Sequence, residues 1–419
     1  MASIHELHER IEGLSQAITR QKELLRELEQ QRSDARLDLN AILDPVARLP
    51  VEVASHLFWQ CIPGALDFET SHLRPASLLL RICRRWRAIA LATPCLWATI
   101  DDAHLPLKDF RGLLELWLAR AQSHPISLAM HWSDGFDSTQ VVRANTHRIQ
   151  NLTMMYPRGG MKVVPAFDAL RCLTIDGFYT HGVESPAELL QVLRGAPNLV
   201  EANFLHLSFR SGFLDDVEVL THSSLRHLRF GKALEEYNSG DALDSDPIIT
   251  QRLTLPCLQT LCYTGGTGYS CAADLLAFLK RSSAPLRHLQ LTLHGVHIHS
   301  RAVECLPLLS GVTNLDILQP DHELTQNFTS LVAAPGLLPA LRKLSIIAGR
   351  VDSVGYRTIL DELRRRRRVI QSFRLVVVDD STGPEEALVD SFRELMENGM
   401  DIHIEGLRLW SGGRDGGTS

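Results

Sequence analysis

No C-x-x-C pair occurs among the eight cysteines scattered along the 419 residues. That argues against a secreted disulfide framework and a structural zinc site, and for reduced thiols inside a cell. A basic excess is lacking too. Lys and Arg number 43 against 49 Asp and Glu, for a net charge of −6 and a pI near 6.3. Dedicated binders of nucleic acid or membrane surfaces usually carry the opposite balance. No stretch reaches the roughly 18 uncharged apolar residues needed to span a bilayer. The start, "MASIHELHERIEGL", is too polar and charged for a signal peptide. The expectation is a soluble intracellular protein, cytoplasmic and/or nuclear, with neither nucleic acid nor membrane as partner. A nucleophile elbow, a paired-acid site and a zinc motif are all missing. The chain therefore reads as a non-enzyme that needs no cofactor or metal.

Ser3 to Leu43 contains no proline and one glycine. Its apolar residues step by three and four through Ile4, Leu7, Ile11, Leu14 and Ile18. The same register continues through Gln21, Leu25, Leu28, Arg32, Ala35, Leu39 and Ile42. A 3.5-residue period predicts a coiled-coil helix over 3–43, whose seam needs covering. Ile at a with Leu at d leans toward a parallel pair of copies, a homodimer. The alternative is one amphipathic helix folded back on its own protein, since Gln21 and Arg32 interrupt the seam.

Asp44-Pro45 breaks that helix. Short helices are expected over Val51–Cys61, over Pro75–Ala92 up to Pro94, and over Leu107–Ala121. The last carries Leu113, Leu114, Trp117 and Leu118. In "HPISLAMHW", Ile126, Leu128 and Met130 alternate as in a strand.

Beyond this point a motif apolar-x-x-apolar-x-apolar recurs. Its copies are Ile149/Leu152/Met154, Leu170/Leu173/Ile175, Leu225/Leu228/Phe230, Leu258/Leu261/Tyr263, Leu286/Leu289/Leu291, Val312/Leu315/Ile317, Leu341/Leu344/Ile346 and Ile370/Phe373/Leu375. Leu199/Ala202/Phe204 is a weaker one. Several follow a proline, as in "APNL", "LPCL" and "LPAL", and helix-like stretches such as "SPAELLQVLRGA" lie between them. One strand and one helix every 21 to 33 residues is the mark of stacked repeats, each too small to bury its own apolar face. The repeats resemble leucine-rich repeats, without the ninth-position Asn or Cys of regular ones; Leu207 and Gly349 stand there in two copies. Nine parallel strands about 4.8 Å apart would span roughly 40 Å, enough for a protein ligand. Arg171, Arg226, Arg287 and Arg342 directly follow the first anchor in four copies. They are the candidate substrate-binding residues, and they suit an acidic target.

The segments "LPVEVASHLFWQCIP" and "LLLRICRRWRAIALATPCLW" together resemble an F-box domain, in the style of the large F-box families of mushroom-forming fungi. The resemblance rests on Leu49-Pro50, Glu52, Leu57-Phe58, Cys83-Arg84, Trp86-Arg87, Ala90, Pro94 and Leu96-Trp97. One departure is the extra "GALDFETSHL" between the first and second helices, which looks like an inserted loop. The resemblance implies binding to the S-phase-kinase-associated adaptor of a cullin-RING ubiquitin ligase, with the C-terminal repeats holding an unknown protein substrate. The adaptor-binding candidates are Leu49, Pro50, Val53, Leu57, Phe58, Cys83 and Trp86; Trp97 reads as core. A ligase-independent scaffold or sensor is the alternative.

The expected fold class is α+β. A coiled-coil helix (3–43) precedes a small all-α F-box (44–100) and a helix-strand connector (101–145). An α/β leucine-rich-repeat-like solenoid with a parallel sheet (146–410) and a flexible tail (411–419) follow. Three features are set aside. "RRRRR" at Arg364–Arg368 reads as the solvated side of a helix whose Leu360 and Leu363 face inward. His294, His297 and His299 have no evident carboxylate or cysteine partner for a metal. "TGGTGYS" at Thr264–Ser270 lacks the Lys-Ser/Thr of a phosphate loop.

Overall fold

In the computed structural model the described residues are 4–61, 75–101, 110–131, 139–155, 166–177, 183–184, 186–209, 217–231, 248–265, 270–293, 305–323, 338–377 and 384–406. The expected His trio, the inserted "GALDFETSHL" and the tail from 411 lie outside them. The chain divides into two units, Met1–Ile126 and Ser127–Ser419.

The first unit opens with α1 (Ile4–Leu43), 40 residues long, or about 60 Å at 1.5 Å per residue. A 3-10 turn at Pro45–Arg48 leads into α2 (Val51–Gln60), whose first intrahelical bond runs from the Ala54 N–H to the Pro50 carbonyl at 3.0 Å. The helix expected over Pro75–Ala92 is two: α3 (Pro75–Ile82) and α4 (Arg84–Ala92). Cys83 is extended between them (φ −154°, ψ 169°), and its sulfur accepts from the Trp86 N–H, capping α4. After a second 3-10 turn (Pro94–Trp97) come β1 (Thr99–Asp101) and α5 (Phe110–Arg120).

Ala54, Phe58, Leu79, Ile89, Leu96 and Trp97 make the core of this unit. Trp97 is 1% exposed; its indole N–H donates to the Ala90 carbonyl at 2.8 Å, and its ring meets Trp117 edge-on at 5.3 Å. The Arg120 guanidinium covers its face at 4.5 Å. Asp44 ties the chain after α1 to this core. Its carboxylate accepts from the Val46 N–H, the Cys83 thiol and the Trp86 indole N–H.

In the second unit the strands are β2 (Ile126–His131), β3 (Ile149–Met155), β4 (Cys172–Asp176), β5 (Val183–Glu184), β6 (Glu201–Leu205), β7 (Ser208–Phe209), β8 (Leu220–Thr221) and β9 (His227–Phe230). They continue with β10 (Leu253–Thr254), β11 (Thr260–Gly265), β12 (His288–Leu293), β13 (Asn314–Glu323), β14 (Lys343–Arg350), β15 (Ser372–Val377) and β16 (Asp401–Gly406). The main sheet keeps chain order: β2-β3-β4-β6-β9-β11-β12-β13-β14-β15-β16. Every pair from β3 to β16 is parallel. The short strands pair off as β5-β7 and β8-β10. Between strands run α6 (Thr139–Asn145), α7 (Pro186–Arg194), α8 (Ser270–Ser282), α9 (Ser353–Arg365) and α10 (Glu386–Glu397), with 3-10 turns at Ile248–Arg252 and Leu306–Leu309. Among the described residues no helix is long and apolar enough to cross a membrane.

The motif copies fall in one register. Leu152, Leu173, Ala202, Leu228, Leu261, Leu289, Leu315, Leu344, Phe373 and Ile402 are successive partners across ten strands. All ten are buried. The first anchors, Ile149 through Ile370, are buried as well. Several enter through a turn in which the anchor's N–H donates to the carbonyl three residues back: Leu199 to Ala196, Leu258 to Leu255, Leu341 to Leu338. Proline stands at the second turn position in all three (Pro197, Pro256, Pro339), where its fixed φ fits.

A tenth copy was not foreseen. β16 pairs with β15 in the same register, but the position matching Ile370 is Gly399, at φ +92° after α10. Met400, one residue on, is the buried side chain there. As expected, Leu360 and Leu363 of α9 are buried.

Leu289 is fully buried in the middle of this register, whereas its neighbour His288 is partly exposed. Leu289→Ala is expected to lower stability by about 2–5 kcal/mol, and His288→Ala by far less. Chemical denaturation of the two variants checks this; equal losses would mean that the register does not carry the sheet.

Candidate protein-interaction surfaces

On α2, Ala54 and Phe58 are one turn apart and face the core. The adjoining face, about 100° round the helix, carries Val53 and Leu57, also one turn apart, 45% and 44% exposed. Pro50, one turn before Val53, is exposed too. Val51 and Trp59 add apolar surface on further sides of the same helix. Exposed apolar pairs recur beyond α2, with Leu78 and Ile82 one turn apart on α3.

The seven residues marked for adaptor binding therefore divide. Pro50, Val53 and Leu57 are on the surface. Leu49 and Trp86 are half-buried against the core, with Trp86 4.7 Å from the Phe58 ring. Phe58 and Cys83 are buried, 3% exposed each, and hold the helices from inside. Val51 and Trp59 escaped the sequence reading because they fall outside the i, i+4 row that Val53 and Leu57 define.

Along α1 the seam is bare. Ile4, Ile11, Ile18, Leu25 and Leu39 are between 51% and 78% exposed, and Leu7, Leu14 and Leu28 are exposed alongside them. An exposed Arg84–Asp34 pair at 3.8 Å links α1 to α4.

On the sheet, Arg171, Arg226, Arg287 and Arg342 occupy one backbone row. The Arg171 carbonyl accepts from the Val200 N–H, Val200 from Arg226, Arg226 from Gln259 and Gln259 from Arg287. Arg287 then accepts from Thr313, Thr313 from Arg342 and Arg342 from Gln371, every bond at 2.8 Å. All four arginines are exposed. Among the described residues none of the four guanidiniums has an ion-pair or hydrogen-bond partner, whereas Arg365 and Arg366 of the five-arginine run both reach Glu362, at 2.7 and 2.6 Å.

Side chains that alternate with the buried anchors along the strands are largely polar, and several are paired. His288 meets Asp316 at 2.7 Å, and Asn203 donates to Glu201 at 2.9 Å. Glu405 is held below the usual carboxylate range, chiefly by the His403 hydrogen bond and further by Arg374. Two thiols face the same side. Burial, with Glu201 adding, pushes Cys172 up to about 11; burial also raises Cys262, against an offset from Arg229. Neither supplies a thiolate at neutral pH. Among the described residues no group of three or more His, Cys, Asp or Glu is placed to hold a metal ion. No protein-family model matches the chain, and no curated protein matches it.

Cys172 and Cys262 are raised, so their reactive fraction grows only above neutral pH. Alkylation of the folded protein near pH 8 is expected to label the exposed Cys61 and Cys257 first and to spare Cys172 until the pH approaches about 11. Peptide mass spectrometry across a pH series reads this; early labelling of Cys172 would show its strand opening to solvent.

Proposed function

We propose that this chain is a non-catalytic, substrate-recruiting subunit of an SCF-type cullin-RING ubiquitin ligase. Its first unit is read as an F-box that binds the S-phase-kinase-associated adaptor. Its second is read as an irregular leucine-rich-repeat-like solenoid that holds a target protein. The observation that carries the reading is the bare Pro50–Val53–Leu57 stripe on a helix whose adjoining face packs a tight core. A helix apolar on several sides suits a buried setting, yet α2 buries only Ala54 and Phe58. Apolar anchors of this kind serve at an interface centre. The in-register parallel sheet supports the second half, because stacked repeats offer a long, continuous strand surface.

A ligase-independent scaffold is the second reading, favoured by α1. Its heptads are self-complementary and bare, so the occupant that fits is a second copy in register, burying Ile against Ile and Leu against Leu. Arg84–Asp34 is too exposed to matter much for stability, so it does not oppose such pairing.

Co-purification with the adaptor separates the two readings. Val53→Ala combined with Leu57→Ala is expected to weaken adaptor binding about thirtyfold for each anchor removed, at roughly 2 kcal/mol per central anchor, with thermal unfolding unchanged. Trp97→Ala, which removes a fully buried ring, is expected to lose both fold and adaptor. Retained adaptor in the double variant would place the interface elsewhere. For α1, sedimentation of the full chain is expected to give a dimer that Ile11→Glu with Ile18→Glu turns into a monomer. A wild-type monomer at micromolar concentration would leave the seam without its second copy.

A further inference from the structure

We infer that the arginine row is a docking track for an extended acidic segment of a partner polypeptide, with one anionic side chain at every third position. This deepens the reading of the second unit as target-holding and rests on it.

The spacing carries the argument. Arg171, Arg226, Arg287 and Arg342 belong to the turns into β4, β9, β12 and β14. Between them stand β6, β11 and β13, with Val200, Gln259 and Thr313 in the row. The arginines thus occur on every second strand, about 9.6 Å apart at 4.8 Å per strand. A polyproline-II segment advances about 3.1 Å per residue with three residues per turn, so every third side chain returns to the same face about 9.3 Å on. Side chains as long as arginine absorb a mismatch of a few tenths of an ångström per step.

The charge pattern points the same way. From Gln150 on β3 to Gln371, just before β15, the row holds no carboxylate. The nearest acids on the neighbouring strand positions are engaged: Glu201 with Asn203 and Asp316 with His288. Several other arginines in this unit are matched to acids, among them Arg194 with Glu218, Arg357 with Glu385 and Arg374 with Glu405. Only the row leaves four aligned guanidiniums free among the described residues, and Asp401 on β16 lies beyond its end. A guanidinium offers a planar fork to a carboxylate or a phosphate alike. The shared ligand chemistry is therefore an anionic side chain, from Glu or Asp or from a phosphorylated Ser or Thr.

Fluorescence anisotropy with the full chain tests the track. The probes are a peptide of four Glu-Pro-Pro repeats, a peptide of the same composition with its four glutamates contiguous, the repeat peptide with phosphoserine for glutamate, and a short single-stranded DNA. The period-three peptides are expected to bind tightest, to weaken as salt rises, and to lose about tenfold or more with Arg226→Glu plus Arg287→Glu. Arg226→Gln plus Arg287→Gln, milder for folding, is expected to lose less in the same order. A tighter phosphoserine peptide would assign the row to modified targets, and a tighter glutamate peptide to genuinely acidic ones. Equal binding of repeat and contiguous peptides, binding indifferent to both double variants, or preference for the DNA would each overturn the inference. The adaptor takes no part in this measurement, so failure here leaves the adaptor result standing, and the reverse holds.

Discussion

Parallel pairing in strict register is the constraint on which the second unit depends. A parallel strand cannot follow its neighbour through a tight turn; the chain must travel back to the starting edge before each new strand. Among the described residues the return includes α7, α8, α9 or α10, or a 3-10 turn at Ile248–Arg252 or Leu306–Leu309. The crossovers vary while the register does not. Leu228 meets Leu261 across a long crossover as squarely as Leu344 meets Phe373 across a helical one. What is conserved from turn to turn is the pair of buried rows, and the connections need only bring the next anchor to the next rung.

The first unit rests on a different arrangement. Its helices after α1 are short, so a few large side chains must organise them. Trp97 fills the centre, with its indole N–H satisfied by the Ala90 carbonyl and its ring bracketed by Trp117 and Arg120. Asp44 fixes the entry by gathering Val46, Cys83 and Trp86 on one carboxylate. With the interior supplied this way, Val53 and Leu57 are left exposed, and the proposed adaptor-binding reading rests on that division between inward and outward apolar residues.

Strands were far more legible in the sequence than breaks. The apolar-x-x-apolar-x-apolar motif reports burial directly, since both anchors must point inward, and even Leu199/Ala202/Phe204 forms β6 in register. β16 escaped because Gly399 stands where the first anchor belongs, and a glycine at the end of a helix reads as punctuation. The break at Cys83 was invisible for the opposite reason. Nothing in "LLLRICRRWRAIALA" opposes a continuous helix locally; the extended Cys83 is stabilised by groups far away, above all the Asp44 carboxylate. Of the adaptor-binding candidates, helical spacing marked Val53 and Leu57 but could not tell that Phe58 and Cys83 point inward. The arginines were visible one by one; their alternation along the sheet emerges only once β6, β11 and β13 are counted between them.

Because the sheet repeats, any residue type that returns at one motif position becomes a line in space. The four arginines form such a line on a chain whose net charge is −6. Each exposed guanidinium is worth little alone, on the order of 1 kcal/mol or less against a single carboxylate. Four at fixed intervals behave differently toward a ligand that already holds its charges at the matching interval, because the ordering cost is met once for the whole segment. Selectivity then resides in the interval rather than in any one contact, and that interval is set by the strand spacing. The stacking that buries the leucine rows is, by the same geometry, what spaces the cations.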